Sequence, residues 1–368
     1  MSSDNLNNTQ LIGNKGEWSE LYACFNILGK KGIHGGDEDR NVLEKFYPVI
    51  SVLRDELTRH MKYSINKDVV IVTEDGTKIV SIPATEFLDN AQKLFNEIKI
   101  GQGRAFTIPS MDSFLSKIHC EKIKAKSEDK SDVKLVIHDY HTSSDNLFGF
   151  SIKSVAGAAS TLLNASNATH FRFRIEGPVN DNLAQKINSI EGNRKMQDRV
   201  IALYDSGCKL EFDYLSQTFR NNLCMIDLKL PEMLSILLVD CYKSRNMQII
   251  DAINRLNEKN PFELDLSEGH EIYGYKIKCL LVASALGMKP ATPWTGDYEA
   301  TGGYIIVKDD GDVICFHIFD RNLLEKYLFN HTKFESPDPG PHKSNYGFVY
   351  MIDGNYYFDL VLQIRFKS

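Results

Sequence analysis

Residues 133–154 read VKLVIHDYHTSSDNLFGFSIKS. The beginning of this stretch, VKLVIHDY, and its end, LFGFSIKS, are rich in β-branched, aromatic and aliphatic residues, and the turn-forming run HTSSDN separates them. The pattern predicts two antiparallel strands joined as a hairpin. Because alternate residues of a strand point to opposite faces, we expect Ser151 and Lys153 to share one face while Phe150 and Ile152 point into the core.

The segments on both sides of this hairpin predict an α/β (α+β) fold with a mixed central sheet flanked by helices. Helices are predicted over residues 14–32, 84–100, 111–120, 157–168, 231–244, 247–259 and 269–288, and strands over 45–55, 60–82, 170–177, 302–320 and 347–366. The first helix has an N-cap candidate in Asn14 and an apolar stripe formed by Trp18, Leu21, Tyr22, Phe25 and Leu28. A hairpin turn is expected at Glu74-Asp75-Gly76.

Composition indicates a soluble globular protein. The chain has 368 residues, of which 42% are hydrophobic and 25% charged, so a sizeable core is expected. The net charge of −6 does not by itself indicate a nucleic-acid partner, although a local basic groove can act within an acidic molecule. The seven cysteines form no C-x-x-C pair, which indicates reduced thiols and a cytoplasmic location. No apolar run reaches about 18 residues, so no membrane contact is expected.

Lys153 can be combined with two acids into a site for phosphodiester hydrolysis. Glu20 lies on the first helix, in KGEWSE, and Asp139 lies in VIHDYH at the end of the first hairpin strand. Carboxylates on neighbouring elements can hold Mg²⁺, which lowers the pKa of a bound water and offsets charge on the phosphorus oxygens. The lysine can orient the attacking water or stabilise the transition state. This layout is that of a PD-(D/E)XK nuclease site.

Each of these residues also has an ordinary structural reading. Glu17 stands three residues after Asn14, the spacing of a capping box, and is the weaker metal candidate. Glu20 could be a solvated helix residue, and Asp139 could start a turn. Ser151 stands where the pattern usually has an acid, so Glu20 is expected to supply the missing carboxylate. Ser151 would then bind metal weakly, hold a metal-bound water or hydrogen-bond Asp139.

Four blocks of the chain resemble the HpaII family of type II restriction endonucleases. The blocks are NKGEWSELY, IHDYHTSSDNLFGFSIKS, STLLNASNATHF and the C-terminal LVLQIRF. The resemblance implies a Mg²⁺-dependent enzyme, with no small-molecule cofactor, that cuts double-stranded DNA within a short palindrome such as CCGG and leaves 5′-phosphates. It carries the catalytic roles onto Glu20, Asp139 and Lys153, with Ser151 in the position of the usual acid. A palindromic target also suggests a homodimer.

Residues in the later blocks are candidates for contacts with DNA. Hydroxyl and amide groups suit phosphates, and arginine suits guanine. The candidates are Ser154, Ser160, Thr161, Asn164, Arg172, Arg174, Gln363 and Arg365. A further basic cluster, Arg194, Lys195 and Arg199, is interpreted as a solvated helix face.

The resulting interpretation is one nuclease unit over residues 1–368. Its catalytic elements are expected in 12–30 and 130–176, inserted strands and helices in 40–128, and DNA-recognition and dimer elements in 217–368. The alternatives are another PD-(D/E)XK endonuclease, directed to DNA structure or mismatches, and a DNA-binding protein with a degraded catalytic site. A structural α/β protein without nucleic-acid contact is the third.

Overall fold

The computed structural model describes residues 10–56, 59–123, 131–139, 143–155, 160–337 and 346–367. The chain packs as two compact units. Unit 1 comprises residues 1–160 and 298–324 with residue 368, and unit 2 comprises residues 161–297 and 325–367. The sequence predicts one nuclease unit over the whole chain. As a statement about function, this stays a prediction. In packing, the chain is divided, and unit 1 is assembled from two separate segments.

The described residues contain ten α-helices. They are α1 (Lys15–Lys30), α2 (Ala84–Ile100), α3 (Asp112–Lys117), α4 (Asp181–Asn188), α5 (Lys195–Asp205), α6 (Gln217–Ile226), α7 (Leu230–Ser244), α8 (Ile249–Lys259), α9 (Ile272–Leu286) and α10 (Arg321–His331). Short 3-10 helices cover Pro109–Met111, Asn167–Thr169 and Ile318–Asp320.

The described strands are mostly short. They are β1 (Ile12–Gly13), β2 (Gly32–Gly36), β3 (Val42–Asp55), β4 (His60–Asn66), β5 (Val69–Glu74), β6 (Thr77–Pro83), β7 (Phe106–Thr107), β8 (Val133–Asp139), β9 (Ser144–Ser154), β10 (Thr161–Leu163), β11 (His170–Glu176), β12 (Lys209–Leu215), β13 (Gly303–Val307), β14 (Val313–His317), β15 (Thr332–Phe334), β16 (Val349–Ile352), β17 (Asn355–Val361) and β18 (Ile364–Phe366). The expected mixed α/β class is confirmed.

The main sheet of unit 1 has nine strands in the order β2-β14-β13-β9-β8-β3-β4-β5-β6. Strand β13 runs parallel to β9 and β14 runs parallel to β2, whereas the other pairs are antiparallel, so the sheet is mixed. Strand β2 also pairs with β3. Six strands, β2, β14, β13, β9, β8 and β3, therefore form a closed hydrogen-bonded ring, and β4, β5 and β6 extend it on one side.

Helix α1 begins where the sequence predicts, because Asn14 and Glu17 form a capping box. The Asn14 side chain accepts from the backbone N–H of Glu17, and the Glu17 carboxylate accepts from the backbone N–H of Asn14. The apolar stripe of α1 is buried against the sheet and α2. Phe25 packs edge-on against Phe87 of α2 and Phe114 of α3, which fixes both helices on the same side of the sheet.

Unit 2 combines α4–α9 with two smaller sheets. One sheet has the order β12-β11-β17-β16, and the other has the order β10-β18-β15. The turn between β16 and β17 contains Asp353 and Gly354, both with positive φ, the conformation that an Asp-Gly hairpin turn provides. The same conformation at Asp75 and Gly76, between β5 and β6, confirms the hairpin turn predicted at Glu74-Asp75-Gly76.

Three sequence predictions about local structure are wrong. The helix predicted over residues 157–168 is instead strand β10 and a 3-10 turn, with residues 157–159 outside the described residues. Strand β10 forms because it pairs with β18, about two hundred residues later, and a contact this distant leaves no local pattern. Residues 60–82 form three strands because a second turn falls at residues 67–68. Arg199 is fully buried and donates to the carbonyls of Asn188, Ile190 and Gly347.

Two further expectations concern the whole chain. All seven cysteines are free thiols, as predicted. In the part of the chain that the structure describes, no helix is both long enough and apolar enough to cross a membrane.

Candidate active site

The pairing of β8 with β9 places Asp132, which the sequence analysis did not select, beside Ser151. Val133 pairs with Phe150, and the backbone N–H of Asp132 donates to the Phe150 carbonyl at 2.8 Å. Directly opposed residues of antiparallel strands share one face. Asp132, which immediately precedes β8, is therefore at the open end of the hairpin and on the face of Ser151.

Asp132 and Ser151 are joined by a direct hydrogen bond. The Ser151 hydroxyl donates to Asp132 Oδ2 at 3.1 Å, and the backbone N–H of Ile152 donates to the same oxygen at 2.6 Å. Ser151 is 3% exposed, so its side chain has little freedom to turn away. Within the described residues, Oδ1 of Asp132 accepts no hydrogen bond, so this oxygen is available to another ligand.

Tyr304 supports the same hydrogen-bond chain from the next strand. It is the direct neighbour of Ser151 in the parallel pairing of β13 with β9, and its hydroxyl is hydrogen-bonded to the Ser151 side chain. Burial and the nearby Asp132 carboxylate together raise the pKa of Tyr304 well above its usual range. Tyr304 is thus a neutral phenol that holds Ser151 in place.

Lys153 lies two residues after Ser151, on the same face of β9. It is half-buried, and its neighbour on β13 is Ile306. Among the described residues it forms no ion pair. A lysine that is not committed to an acid keeps its charge available for an anion. Lys153 therefore satisfies the chemical requirement on which the sequence analysis relied.

Asp139 is not brought to Lys153. It pairs with Ser144 beside the hairpin turn, at the opposite end of β8 from Asp132. Its face of β8 is that of Val133, Leu135 and Ile137, which are all buried in the core. The two-residue periodicity of the strands therefore separates Asp139 from Lys153 both in position and in face.

Asp139 has electrostatic contact with His317 instead. Burial lowers the pKa of His317 to about 4, and Lys45 favours the same neutral form, whereas Asp320 and Asp139 oppose this change. The ring packs at 5.1 Å from Tyr47 and at 4.3 Å from Phe319. The backbone N–H of Phe319 donates to His317 Nδ1, and this nitrogen can accept the bond because it carries no proton in a neutral imidazole. Asp139 and His317 belong to a buried aromatic cluster away from the open end of the hairpin.

The lowered pKa of His317 predicts that the stability of the protein depends on pH. The folded pKa of about 4 lies below the ordinary value of 6.5, so the unfolded chain binds more protons between these values. The free energy of unfolding should therefore fall as the pH drops from 6.5 to 4, by up to roughly 3 kcal/mol. Denaturant unfolding across this range measures the slope. In His317→Leu the slope should be reduced, and an unchanged slope in that variant would contradict the assignment.

Glu20 lies on the part of α1 that spans the open end of the hairpin. Two residues later, the Tyr22 hydroxyl donates to the carbonyl of Gly311, in the turn that follows β13. One helical turn after Glu20, Cys24 contacts Arg54 of β3 at 3.7 Å and experiences the negative charge of Glu20. Glu20 is half-buried in this position. Glu17 is engaged in the capping box, the structural role that the sequence analysis preferred for it.

The residues at this end of the sheet fit the coordination habits of Mg²⁺. The described residues contain no cluster of three or more His, Cys, Asp or Glu side chains that could hold a metal ion. Mg²⁺ commonly binds one or two carboxylates and completes its shell with waters and substrate phosphates. Asp132, whose Oδ1 accepts no hydrogen bond within the described residues, would be one hard oxygen ligand, and Glu20 is the candidate for the second. The donor set is thus sparse but of the right chemical type.

The DNA-contact candidates are distributed over both units. In unit 1, Ser154 follows Lys153 at the end of β9, and Ser160 is half-buried. In unit 2, Thr161 pairs with Arg365 across β10 and β18. The remaining candidates in this region are Asn164, which is exposed, and Gln363, whose carbonyl accepts from the backbone N–H of Glu335.

Three arginines among these candidates differ in their partners. Arg174 lies between two acids and forms a 2.8 Å ion pair with Glu211. Arg365 Nη1 is 4.0 Å from Glu335. Arg172 is held through Nε by the hydroxyl of Tyr350 at 3.0 Å. The three side chains therefore offer different numbers of unused donors to a ligand.

The sequence contains a signal for Asp132 that the analysis did not use. In a two-stranded hairpin, residues equally distant from the turn lie opposite each other. Asp132 and Ser151 are each seven residues from the last pair before the turn, Asp139 and Ser144. Tyr304 could not be found in this way, because a parallel neighbour is set by the tertiary fold.

Comparison with known proteins places the chain in a class. The family model for the HpaII restriction endonuclease matches residues 14–366. The chain therefore belongs to the HpaII restriction endonuclease family, whose members are site-specific DNA endonucleases. It is 40% identical over 358 residues to the type II restriction enzyme HpaII of Haemophilus parainfluenzae. The alignment covers 96% of this chain and 98% of the relative. No solved structure matches the chain.

Proposed function

We propose that this protein is a Mg²⁺-dependent type II restriction endonuclease that hydrolyses double-stranded DNA at a short palindromic site and leaves 5′-phosphates. The family match over residues 14–366 supports the activity. A CCGG-like site is expected by analogy with the family that the sequence resembles. A homodimer is the matching assembly, because a two-fold axis relates the two halves of a palindrome.

One observation carries the proposed site, the hydrogen bond from Ser151 to Asp132 beside Lys153. On one face at the open end of a β-hairpin it puts a fixed carboxylate beside a lysine that forms no ion pair within the described residues. We assign the PD-(D/E)XK pattern to Asp132, Ser151 and Lys153. Asp132 then replaces Asp139 as the acid of the first strand, while Glu20 and Lys153 keep the roles that the sequence analysis gave them.

In this proposal the side chains have distinct tasks. Asp132 and Glu20 would hold Mg²⁺, which when bound supplies positive charge and lowers the pKa of water. Lys153 stabilises the negative charge that increases on the phosphate oxygens in the transition state, and it can orient the attacking water. Ser151 binds no metal. It uses its hydroxyl to fix the orientation of the Asp132 carboxylate.

All but one of the remaining candidates would bind DNA. Ser154, Ser160, Thr161 and Asn164 offer hydroxyl and amide groups to the backbone. Arg172, Gln363 and Arg365 offer donors for base edges or phosphates. Arg174 is not assigned a DNA contact, because its Nε and Nη2 pair with Glu176 and Glu211. Glu17 stays the least favoured metal ligand because its carboxylate caps α1.

Digestion of a sequenced plasmid tests the proposed function. With Mg²⁺ the purified protein should convert unmodified plasmid into discrete fragments whose mapped ends share one palindromic site and carry 5′-phosphates. With a chelator in place of Mg²⁺ the plasmid should stay intact. Fragments without a shared sequence, or cutting only of mismatched or branched duplexes, would support the structure-directed alternative. Uncut plasmid under all metal conditions, with DNA still bound, would support the degraded-site alternative.

A further inference from the structure

Arg172, in unit 2, is held by a hydrogen bond and by contacts with two aromatic rings. It lies on β11, on the face opposite the buried Phe171 and Phe173. Its Nε donates to the Tyr350 hydroxyl at 3.0 Å, and that hydroxyl donates to Asp359 Oδ1 at 2.7 Å. Burial, together with the bond to Asp359, raises the pKa of Tyr350 above its usual range, so the hydroxyl keeps its proton.

Two aromatic rings restrict the guanidinium further. Its Cζ lies 5.3 Å from the ring centre of Tyr214 and 5.8 Å from that of Tyr357, one on each neighbouring strand. Such contacts hold a guanidinium without using its hydrogen-bond donors. The residue thus loses less conformational freedom on binding a ligand than a solvated arginine does.

The bonding of Arg172 leaves its outer edge available. The hydrogen bond to Tyr350 uses Nε, and Asp359 lies 3.9 Å from the same nitrogen. Within the described residues, Nη1 and Nη2 form no hydrogen bond. These two nitrogens make a planar fork of donors, and the side chain is 33% exposed. The geometry suits a ligand with two adjacent acceptors.

Arg174, two residues along the same face, provides a contrast. It forms ion pairs with Glu176 and with Glu211, the latter at 2.8 Å, and at 45% it is more exposed than Arg172. Its charge, its Nε and its Nη2 are already used by two acids. The same strand therefore presents one arginine whose fork is committed and one whose fork is not.

The charges around Arg172 favour a neutral ligand over a phosphate. Burial lowers the pKa of its guanidinium, but Tyr350, Asp359 and Asp213 raise the pKa by more, so the arginine is charged. The same effect shows that the two carboxylates are close to the guanidinium. Asp213 is exposed and lies at a β-bulge of β12. It stands between Tyr214, which pairs with Arg172, and Phe212, which pairs with Phe173. Two nearby carboxylates repel a phosphate, whereas a base edge carries no net charge.

We infer that Arg172 is a base-reading residue whose Nη1 and Nη2 donate to the O6 and N7 acceptors of a guanine in the major groove. Bidentate contact of arginine with guanine is the commonest specific contact in protein–DNA complexes, and it matches the free fork. The assignment rests on the proposed function, because it takes double-stranded DNA as the ligand. Tyr350 acts as a positioning residue that holds the guanidinium through Nε.

The test compares binding of two duplexes, with Ca²⁺ in place of Mg²⁺ and over a range of salt concentrations. The first duplex is the sequence that the wild-type protein enriches from a randomised pool, and the second is a scrambled sequence. The variants are Arg172→Ala, Arg172→Lys, Tyr350→Phe and the matched control Arg174→Ala. A further duplex carries 7-deazaguanine, which lacks the N7 acceptor, at one guanine at a time.

The inference predicts a loss of discrimination. Arg172→Ala and Arg172→Lys should each lower the preference for the selected duplex by about 5- to 100-fold. Tyr350→Phe should give a smaller loss, and Arg174→Ala should keep the wild-type preference. At one position, 7-deazaguanine should weaken binding by the wild type but not by Arg172→Ala. The salt dependence of binding should stay close to wild type in Arg172→Lys, which keeps its charge.

Other results would overturn the inference. A phosphate contact would make Arg172→Ala weaken both duplexes equally and lower the salt slope by about one. Unchanged discrimination in both Arg172 variants, or no enriched sequence for the wild type, would also exclude base reading. Cutting of the selected duplex by the wild type in Mg²⁺ reports on the proposed function separately. Arg172 lies at the surface, and thermal unfolding checks that each variant is folded.

Discussion

Asp132→Asn is expected to lower the rate of DNA cleavage by about 10²–10³-fold or more, because an amide cannot supply the negative oxygen that a cation requires. Single-turnover cleavage of a duplex that contains the wild-type site measures this rate. The hydrogen bonds from Ser151 and Ile152 to Oδ2 can still form if the amide oxygen takes that position. DNA binding measured in Ca²⁺ and the midpoint of thermal unfolding should therefore change much less than the cleavage rate.

Asp139→Asn is the matched control for this variant. It removes the same charge from the other end of the same strand, where Asp139 adjoins the turn and the His317 cluster. Its cleavage rate should stay within a few-fold of wild type when compared at equal concentrations of folded protein. If Asp139→Asn is inactive and Asp132→Asn cuts normally, the first-strand acid is Asp139 and the site is not at the open end of the hairpin.

Lys153→Ala is expected to reduce the cleavage rate by about 10²–10³-fold, the effect of removing a single group that stabilises transition-state charge. The loss should appear in the single-turnover rate constant at saturating enzyme, because the charge develops only as the phosphate reacts. Lys153→Arg keeps a positive charge but replaces a compact ammonium by a planar fork, and it should recover only part of the rate.

Lys134→Ala controls for the loss of a positive charge from this surface. Lys134 follows Asp132 by two residues, lies on the same face of β8 and is 3.6 Å from Asp55. Because its charge is partly compensated by that acid, its removal should change cleavage by only a few-fold. Equal losses in Lys134→Ala and Lys153→Ala would indicate that both act through general attraction of DNA, and the catalytic role of Lys153 would be rejected.

Strand β9 could be predicted from the sequence because its pattern is local. Alternation in LFGFSIKS separates Ser151 and Lys153 from Phe150 and Ile152, and the structure has the same division. Helix α1 was predictable for the same reason, since its cap and its apolar stripe lie within one segment. In both cases the residues that define the element are close together in the chain.

Pairing between distant segments is the part that sequence alone did not provide. Strand β10 was mistaken for a helix because its partner, β18, lies near the C-terminus. Asp139 was selected because it stands at a strand end, but both strand ends satisfy that criterion. Only the register of the hairpin distinguishes them, and it gives the position beside Ser151 to Asp132.

Arg199 shows a different limit of sequence reasoning. A cluster of basic residues on a helix is usually solvated, yet Arg199 is buried and donates to three backbone carbonyls. Its partners lie before α5 and near β16, so they could not be read from the helix itself. Burial satisfied mainly by carbonyl groups has no compositional signature.

The ring of strands in unit 1 has a consequence for the order of synthesis. Strand β9 needs β13 as its neighbour, and β14 must join β13 to β2 before the ring is complete. Because the chain is synthesised from its N-terminus, α1, β8 and β9 are complete long before the polypeptide reaches Gly303–His317. Until then Tyr304 is not available to Ser151, and the nascent chain exposes β9 as an edge. A ribosome-bound or prematurely terminated chain thus carries the proposed catalytic side chains without the scaffold that aligns them.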